Sequence, residues 1–221
     1  MWVPDVATDL WALRDHVGSY LAEDDVLASA RAGAERSGCV PVEPDAGAGL
    51  RFLAATIGAR AVVEIGTGTG VSGLWLLRGM APDGTLTSID IDPELQRAAR
   101  GVFLAAGYGP ANLRLINGMA LEVLPRLTDA VYDMVFVDAG PADYPRYLEE
   151  AVRLLRDGGI VVFAGALGAG VVDPDASDPS TAGLREVSRM VREDDRLVPV
   201  LLPLGDGLLA ALKAGSARPA P

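Results

Sequence analysis

Two carboxylates, each at the end of an apolar stretch, define the chemistry this chain could perform. Glu64 opens the run Glu64-Ile65-Gly66-Thr67-Gly68-Thr69-Gly70, and Asp90 closes the next apolar segment, residues 85–90. Glycines at this spacing let a backbone turn tightly and approach a ligand without Cβ clashes. The helix that follows offers free N–H groups and a positive dipole end. Two registers compete. Gly68-Thr69-Gly70-Val71-Ser72-Gly73 matches the GxGxxG pattern of dinucleotide sites, but it starts three residues past the strand end where that motif should begin. The acidic register starts inside the strand and sets Glu64 near its tip. A carboxylate there suits a ligand carrying an ammonium and a sulfonium better than a pyrophosphate. A glycine-rich turn without a ligand is the plain alternative. Asp90 can accept both hydroxyls of a ribose. Asp92, followed by Pro93, is explained as a helix N-cap.

Composition narrows the remaining candidates. The chain of 221 residues holds one His, His16, and one Lys, Lys213, so a histidine or lysine base must be one of these two. His16 falls on an amphipathic segment and reads as a surface histidine, unless that segment folds over the site. Lys213 lies at the far end of the last strand. The single Cys39 excludes an internal disulfide framework and a Cys-rich zinc site, and a reducing cytoplasm is the simplest setting. A net charge of -11 argues against nucleic acid and anionic lipid as partners. The first ten residues lack the basic start of a signal peptide. The most apolar stretch, 159–172, is too short and too rich in glycine to span a membrane.

These candidates must be positioned by strands and helices in alternation. Residues 6–38 carry helical periodicity and end in Ser37-Gly38; residues 41–44 read as a linker and 45–57 as a short helix. Strands are expected at 61–65, 85–90, 113–117, 132–138 and 160–163, with helices at 71–80, 93–106, 119–127, 143–155 and 181–193. Residues 164–182 read as a small-residue loop. Residues 197–203 and 207–213 form a hairpin pair. Strands separated by helices pair in parallel through right-handed crossovers. The expected fold is therefore α/β: a doubly wound, mostly parallel seven-stranded sheet with an antiparallel last strand and an N-terminal helical extension. Residues 1–58 form the extension, 59–213 the ligand-binding domain and 214–221 a flexible tail. In such sheets ligands bind beyond the carboxyl ends of the strands, at the switch point beside the first strand.

At this point the residues resemble a family. The glycine run above, Thr87-Ser88-Ile89-Asp90-Ile91-Asp92-Pro93, Asn117-Gly118-Met119-Ala120, the strand ending in Asp138, and Arg156-Asp157-Gly158-Gly159 occur in order and at the right spacing. Together they resemble the class I S-adenosylmethionine-dependent O-methyltransferases, in particular the catechol and caffeoyl-CoA group and its bacterial relatives. The resemblance implies S-adenosylmethionine as cofactor, a small hydroxylated or phenolic molecule as acceptor, and a homodimer. It implies that Glu64, Gly66, Thr67 and Ser72, with Gly68 in the same loop, hold the methionine part. Asp90, with Ile91 beside it, would hold the ribose, and the backbone N–H of Ala120 the adenine. Val42, Asp138 and Tyr147 also fall on cofactor-site positions, although Tyr147 could equally pack on its helix face beside Leu148 and Val152.

One departure from the family carries mechanistic weight. In metal-dependent members the fourth strand ends in Asp-Ala-Asp-Lys and the fifth in Asp-Asn. Here the fourth continues Asp138-Ala139-Gly140-Pro141 and the fifth Phe163-Ala164-Gly165. A hard cation wants several oxygen ligands, so no catalytic metal is expected. A phenol titrates near about 10. Without a metal, its activation falls to positioning, which in aligned systems supplies about 7–11 kcal/mol, to an acidic acceptor, or to a carboxylate base, Asp138 or Asp143. The alternative is a catalytically decayed protein that keeps the fold and binds the cofactor or a ligand in a non-enzymatic role.

Overall fold

In the computed structural model, residues 10–168, 170–171, 173 and 175–215 are described. Three helices precede the sheet: α1 (Leu10–Ser19), α2 (Asp25–Arg36) and α3 (Pro44–Thr56). Then come β1 (Ala61–Ile65), α4 (Val71–Gly79), β2 (Thr85–Asp90), α5 (Pro93–Ala105), β3 (Leu113–Asn117), the short α6 (Ala120–Val123), β4 (Tyr132–Val137), α7 (Tyr144–Leu154), β5 (Leu155–Phe163), α8 (Pro179–Glu193), β6 (Leu197–Leu202) and β7 (Leu208–Lys213). The sheet has seven strands in the order β3-β2-β1-β4-β5-β7-β6. β7 runs antiparallel to both of its neighbours, and the rest run one way. The chain order reverses between β1 and β4, which fixes the switch point.

Alternation along the strands covers both faces. Val62, Met134 and Phe136 join Leu50, Trp75 and Phe103 beneath α2–α5. Val63, Val135 and Val137 join Tyr147, Leu148 and Val187 beneath α7 and α8. Burial on both faces is why the central strands read as continuous apolar runs. Gly47 lets α3 press on α4: a Cβ there would lie 2.3 Å from the Trp75 ring. A pair of anchors ties the lower edge, where Asp133 accepts from the Arg60 and Ala61 N–H groups at 2.7 and 2.8 Å.

Local boundaries differ from expectation most clearly in three places. The N-terminal periodic segment is two helices, because Asp24 caps α2 by accepting from the Leu27 N–H at 3.1 Å, and the chain must break before it. Residues 6–9 of that expected helix lie outside the described residues. The expected helix stop at Gly158-Gly159 is instead an irregularity within β5, which begins at Leu155 directly after α7. Arg156 reaches Asp133 across β4 there at 2.6 Å, and Gly158 takes a φ of 78°. α8 starts earlier than expected, at Pro179, because Asp178 accepts from the Thr181 N–H at 3.0 Å. Residues 216–221 of the expected tail lie outside the described residues.

Candidate functional site

The carboxyl ends of β1, β2 and β4 meet around the turn 66–70. Gly66 has a φ of 96°, and a Cβ on it would stand 2.0 Å from the Asp138 carbonyl oxygen. No side chain fits between these two strand ends. The Gly66 N–H donates to Ile89 O at 2.9 Å and the Asp138 N–H to Ile65 O at 2.8 Å, so neither strand end can shift freely. Gly70, with a φ of 90°, hands the chain to α4, and a Cβ there would press on Ala99 and Phe103 at 3.1 Å.

Asp90 organises this turn from the side. Its Oδ2 accepts from the Thr67 and Gly68 N–H groups, each at 2.9 Å, and its Oδ1 from the Asp92 N–H at 2.9 Å. Asp92 caps α5 as expected, accepting from the Glu94 N–H at 2.8 Å. The two acids therefore divide the roles: one holds the glycine turn and faces the crevice, the other starts a helix.

Glu64 lies behind the turn and is fully buried. Its Oε1 accepts from the Ser72 hydroxyl at 2.7 Å and its Oε2 from the Ser88 hydroxyl at 2.6 Å, and Ser88 meets the Thr67 hydroxyl at 2.7 Å. Burial pushes the Glu64 carboxyl up to about 8 against the pull of the two serines, with Asp138 and Asp90 adding to the rise. Glu64 thus connects to the crevice through Ser72 and Thr67.

Two cavities flank Gly66. The larger, about 260 Å³, is lined by Asp90, Ile91, Met119, Ala120, Tyr147 and neighbouring residues. The smaller, about 60 Å³, is lined by Cys39, Val40, Pro41, Thr67, Ser72 and Asp138 among others. Asp138 is half-buried at the end of β4. Burial first, and then the negative charge of Asp206 on the turn between β6 and β7, together push its carboxyl up to about 7. Tyr144, buried beside it, donates to Ala164 O at 3.2 Å.

The structure gathers most of the expected site residues and leaves a few aside. Gly66, Thr67, Gly68, Ser72, Asp90, Ile91, Ala120, Asp138 and Tyr147 all line the two cavities. Asp143 lines the larger one and pairs with Arg146 at 3.3 Å on the exposed rim. Val42 turns its side chain into the core, while Val40 and Pro41 take the wall. His16 sits on α1 against a separate apolar groove, with α3 and β6. Lys213 donates to Val152 O and Leu155 O at 2.9 and 2.7 Å, near the opposite strand ends. Sequence reasoning assigned no individual role to Ser88, Cys39 and Asp206. Ser88 was signalled by being polar two residues before Asp90, hence on the same strand face. Asp206 read only as a turn residue. Among the described residues no three His, Cys, Asp or Glu side chains gather into a metal-binding group. The residues following β4 and β5, Ala139-Gly140-Pro141 and Ala164-Gly165, offer no carboxylate beside Asp138, so they do not fit a divalent metal.

Residues 23–214 match the model of a family described as O-methyltransferase. A protein of Mycolicibacterium vanbaalenii is 55% identical over 203 residues, covering 91% of this chain and 90% of that one. A protein of Mycobacterium tuberculosis strain H37Rv is 53% identical over 211 residues, covering 95% and 93%. Both carry O-methyltransferase names. Among solved structures, a protein of Corynebacterium glutamicum superposes with a TM-score of 0.87 at 33% identity, covering 95% of this chain and 99% of that one. The O-methyltransferase TomG of Streptomyces achromogenes, involved in tomaymycin synthesis and solved in complex with S-adenosylmethionine, superposes with a TM-score of 0.83 at 31% identity, covering 92% and 96%.

Proposed function

Because this chain belongs to the O-methyltransferase family, we propose that it methylates a hydroxyl of a small, hydroxylated molecule with S-adenosylmethionine, and that it does so without a divalent metal. The carrying observation is the pair of cavities that share Gly66 as a wall, with Asp90 on one side and Asp138 on the other. Their residues fit the cofactor by chemistry. The larger cavity has the carboxylate of Asp90 for ribose hydroxyls and the apolar walls of Ile91, Ala120, Leu121 and Tyr147 for a flat base. The smaller has the hydroxyls of Thr67 and Ser72 for an amino-acid end. Bound there, S-adenosylmethionine supplies an electrophilic methyl on a sulfonium.

The chain's own contribution is alignment, electrostatics and proton transfer. The pinned ends of β1 and β4 fix Asp138 relative to the turn, which reduces the entropic cost of aligning the reacting atoms. Asp138, raised to about 7, suits a base that takes the acceptor hydroxyl's proton near neutral pH. Glu64 and Ser88 hold Ser72 and Thr67 in place. Asp143, paired with Arg146 on the rim, is the second candidate base.

We infer a reducing, cytoplasmic setting, supported by the lone Cys39; no helix among the described residues is long and apolar enough to cross a membrane. We also infer a homodimer, supported by the exposed Tyr20, Phe52, Val200 and Leu201 around α1, α3 and β6. We infer, too, that residues 1–58 are an extension and 59–213 the cofactor domain. The test is methyl transfer from labelled S-adenosylmethionine to a panel of phenolic acceptors, with and without EDTA. Turnover that persists in EDTA is expected, and turnover abolished by chelation and restored by Mg²⁺ overturns the metal-free reading.

A further inference from the structure

The charged side chains that line the crevice are acids, one of which, Asp143, is paired with Arg146 at the rim. Among the described residues, the side chains with formal charge that line the two cavities are Asp90, Asp138 and Asp143, and no Lys, Arg or His lines either one. Asp206 adds a fourth acid on the β6–β7 turn. It is exposed and accepts from the Gly165 N–H at 3.2 Å, so it stands where β5 ends, and its charge reaches Asp138 and Tyr144. Of the arginines on adjoining elements, two are tied to other groups and one pairs with an acid of the rim. Arg31 is held by Glu23 at 2.6 Å and by Val42 O at 2.9 Å. Arg185 donates to Gly170 O at 2.9 Å and Ala176 O at 2.8 Å. Arg146 pairs with Asp143. A sulfonium cofactor brings an ammonium, a sulfonium and a carboxylate, a net of one positive charge. That does not neutralise the acids around it, and Asp206 lies on the side where β5 ends.

We propose that Asp206 determines acceptor specificity, so that the site takes uncharged or cationic hydroxylated molecules and rejects anionic ones, coenzyme A thioesters and other phosphate esters above all. Phosphate recognition needs fixed guanidinium, ammonium or backbone N–H donors, and the acceptor side presents carboxylates instead. Like charge placed against an incoming ligand suppresses the wrong partner, a form of discrimination by repulsion. This inference rests on the methyl-transfer reading above.

The experiment uses the full chain and dihydroxybenzenes that differ in one substituent: a 2-aminoethyl, a 2-hydroxyethyl or a 2-carboxyethyl chain, the last also as its coenzyme A thioester. Methyl transfer gives kcat/KM, and equilibrium binding to the complex with S-adenosylhomocysteine gives affinity where turnover is slow. The expected order is amine, then alcohol, then carboxylate, with the thioester last, and amine over carboxylate by on the order of tenfold or more. Asp206→Asn should shrink the amine-to-carboxylate ratio severalfold, and Asp206→Lys should invert it. Equal use of carboxylate or thioester, a ratio unchanged in both variants, or no binding of amine or alcohol at millimolar concentration overturns the proposal. Absence of S-adenosylmethionine binding in a parallel calorimetric titration identifies failure of the underlying reading instead.

Discussion

Replacing Asp90 with Asn separates the two tasks that the structure gives this residue. The carboxylate accepts three backbone N–H groups, two from the glycine turn through Oδ2 and one from Asp92 through Oδ1. An asparagine amide has one oxygen. If that oxygen keeps the Thr67 and Gly68 N–H groups, its NH2 faces the Asp92 N–H, donor against donor. If it turns round, two bonds are lost. At least one hydrogen bond to a charged acceptor disappears, which costs about 1.5–3 kcal/mol. The same substitution removes the charged acceptor for a ribose, another about 1.5–3 kcal/mol at the level of binding, or roughly tenfold to a hundredfold in Kd. Urea unfolding of the apo protein reads the first effect, and calorimetric titration with S-adenosylmethionine reads the second. Asp92→Ala is the control. It removes the α5 cap for about 1 kcal/mol and leaves cofactor affinity within a factor of about two. Asp90→Asn that loses stability but binds the cofactor as well as wild type would confine Asp90 to holding the turn, and the ribose contact would have to be placed elsewhere.

Two further outcomes follow from the same turn. Gly66→Ala should destabilise by about 2–5 kcal/mol, from left-handed backbone strain and from a Cβ driven against a pinned carbonyl, and should abolish cofactor binding. Gly101→Ala on α5, where a Cβ meets nothing within 4 Å, should instead stabilise by about 0.5–1 kcal/mol, so equal urea midpoints for the two variants would refute the argument. The raised carboxyls of Glu64 and Asp138, at about 8 and about 7, retain protons in the folded state that the unfolded chain releases near about 4. Between pH 5 and 7 the unfolded state therefore binds fewer protons, and apo stability falls as pH rises, leveling off once the folded-state groups also ionise. Glu64→Gln should flatten that slope in urea midpoints measured from pH 5 to 8, and a slope that rises, or is the same in the variant, contradicts the assignment.

The fold was largely legible because its signals are local and repeat. Apolar runs bounded by glycine, with amphipathic stretches between them, specify parallel strands and crossover helices, and Leu204-Gly205-Asp206-Gly207 specifies the hairpin that carries the antiparallel β7. Asp92-Pro93 marked the start of α5 by cap chemistry alone. What failed were boundaries decided by long-range contacts. Gly158-Gly159 looks like a helix stop, but the tie from Arg156 to Asp133 draws Leu155 and its successors into β5. The break before α2 depends on Asp24, one acid among several in Glu23-Asp24-Asp25. The glycine turn and Asp90 were readable because their residue types are dictated by geometry. The family resemblance assigns Val42 to the site, yet a shift of one or two residues along the linker exchanges wall for core. Asp206 is not readable as a site residue, since its charge acts on Asp138 only after the sheet brings the β6–β7 turn to the end of β5.

Methyl transfer by this chain requires the crevice at Gly66 to receive a sulfonium nucleoside. Calorimetric titration of the purified full chain with S-adenosylmethionine, repeated with S-adenosylhomocysteine and with NAD, tests this directly. Saturable binding of one equivalent of each of the first two, and none of NAD, is the predicted result. A sample that takes up NAD in the same crevice, or that ignores both nucleosides, contradicts it.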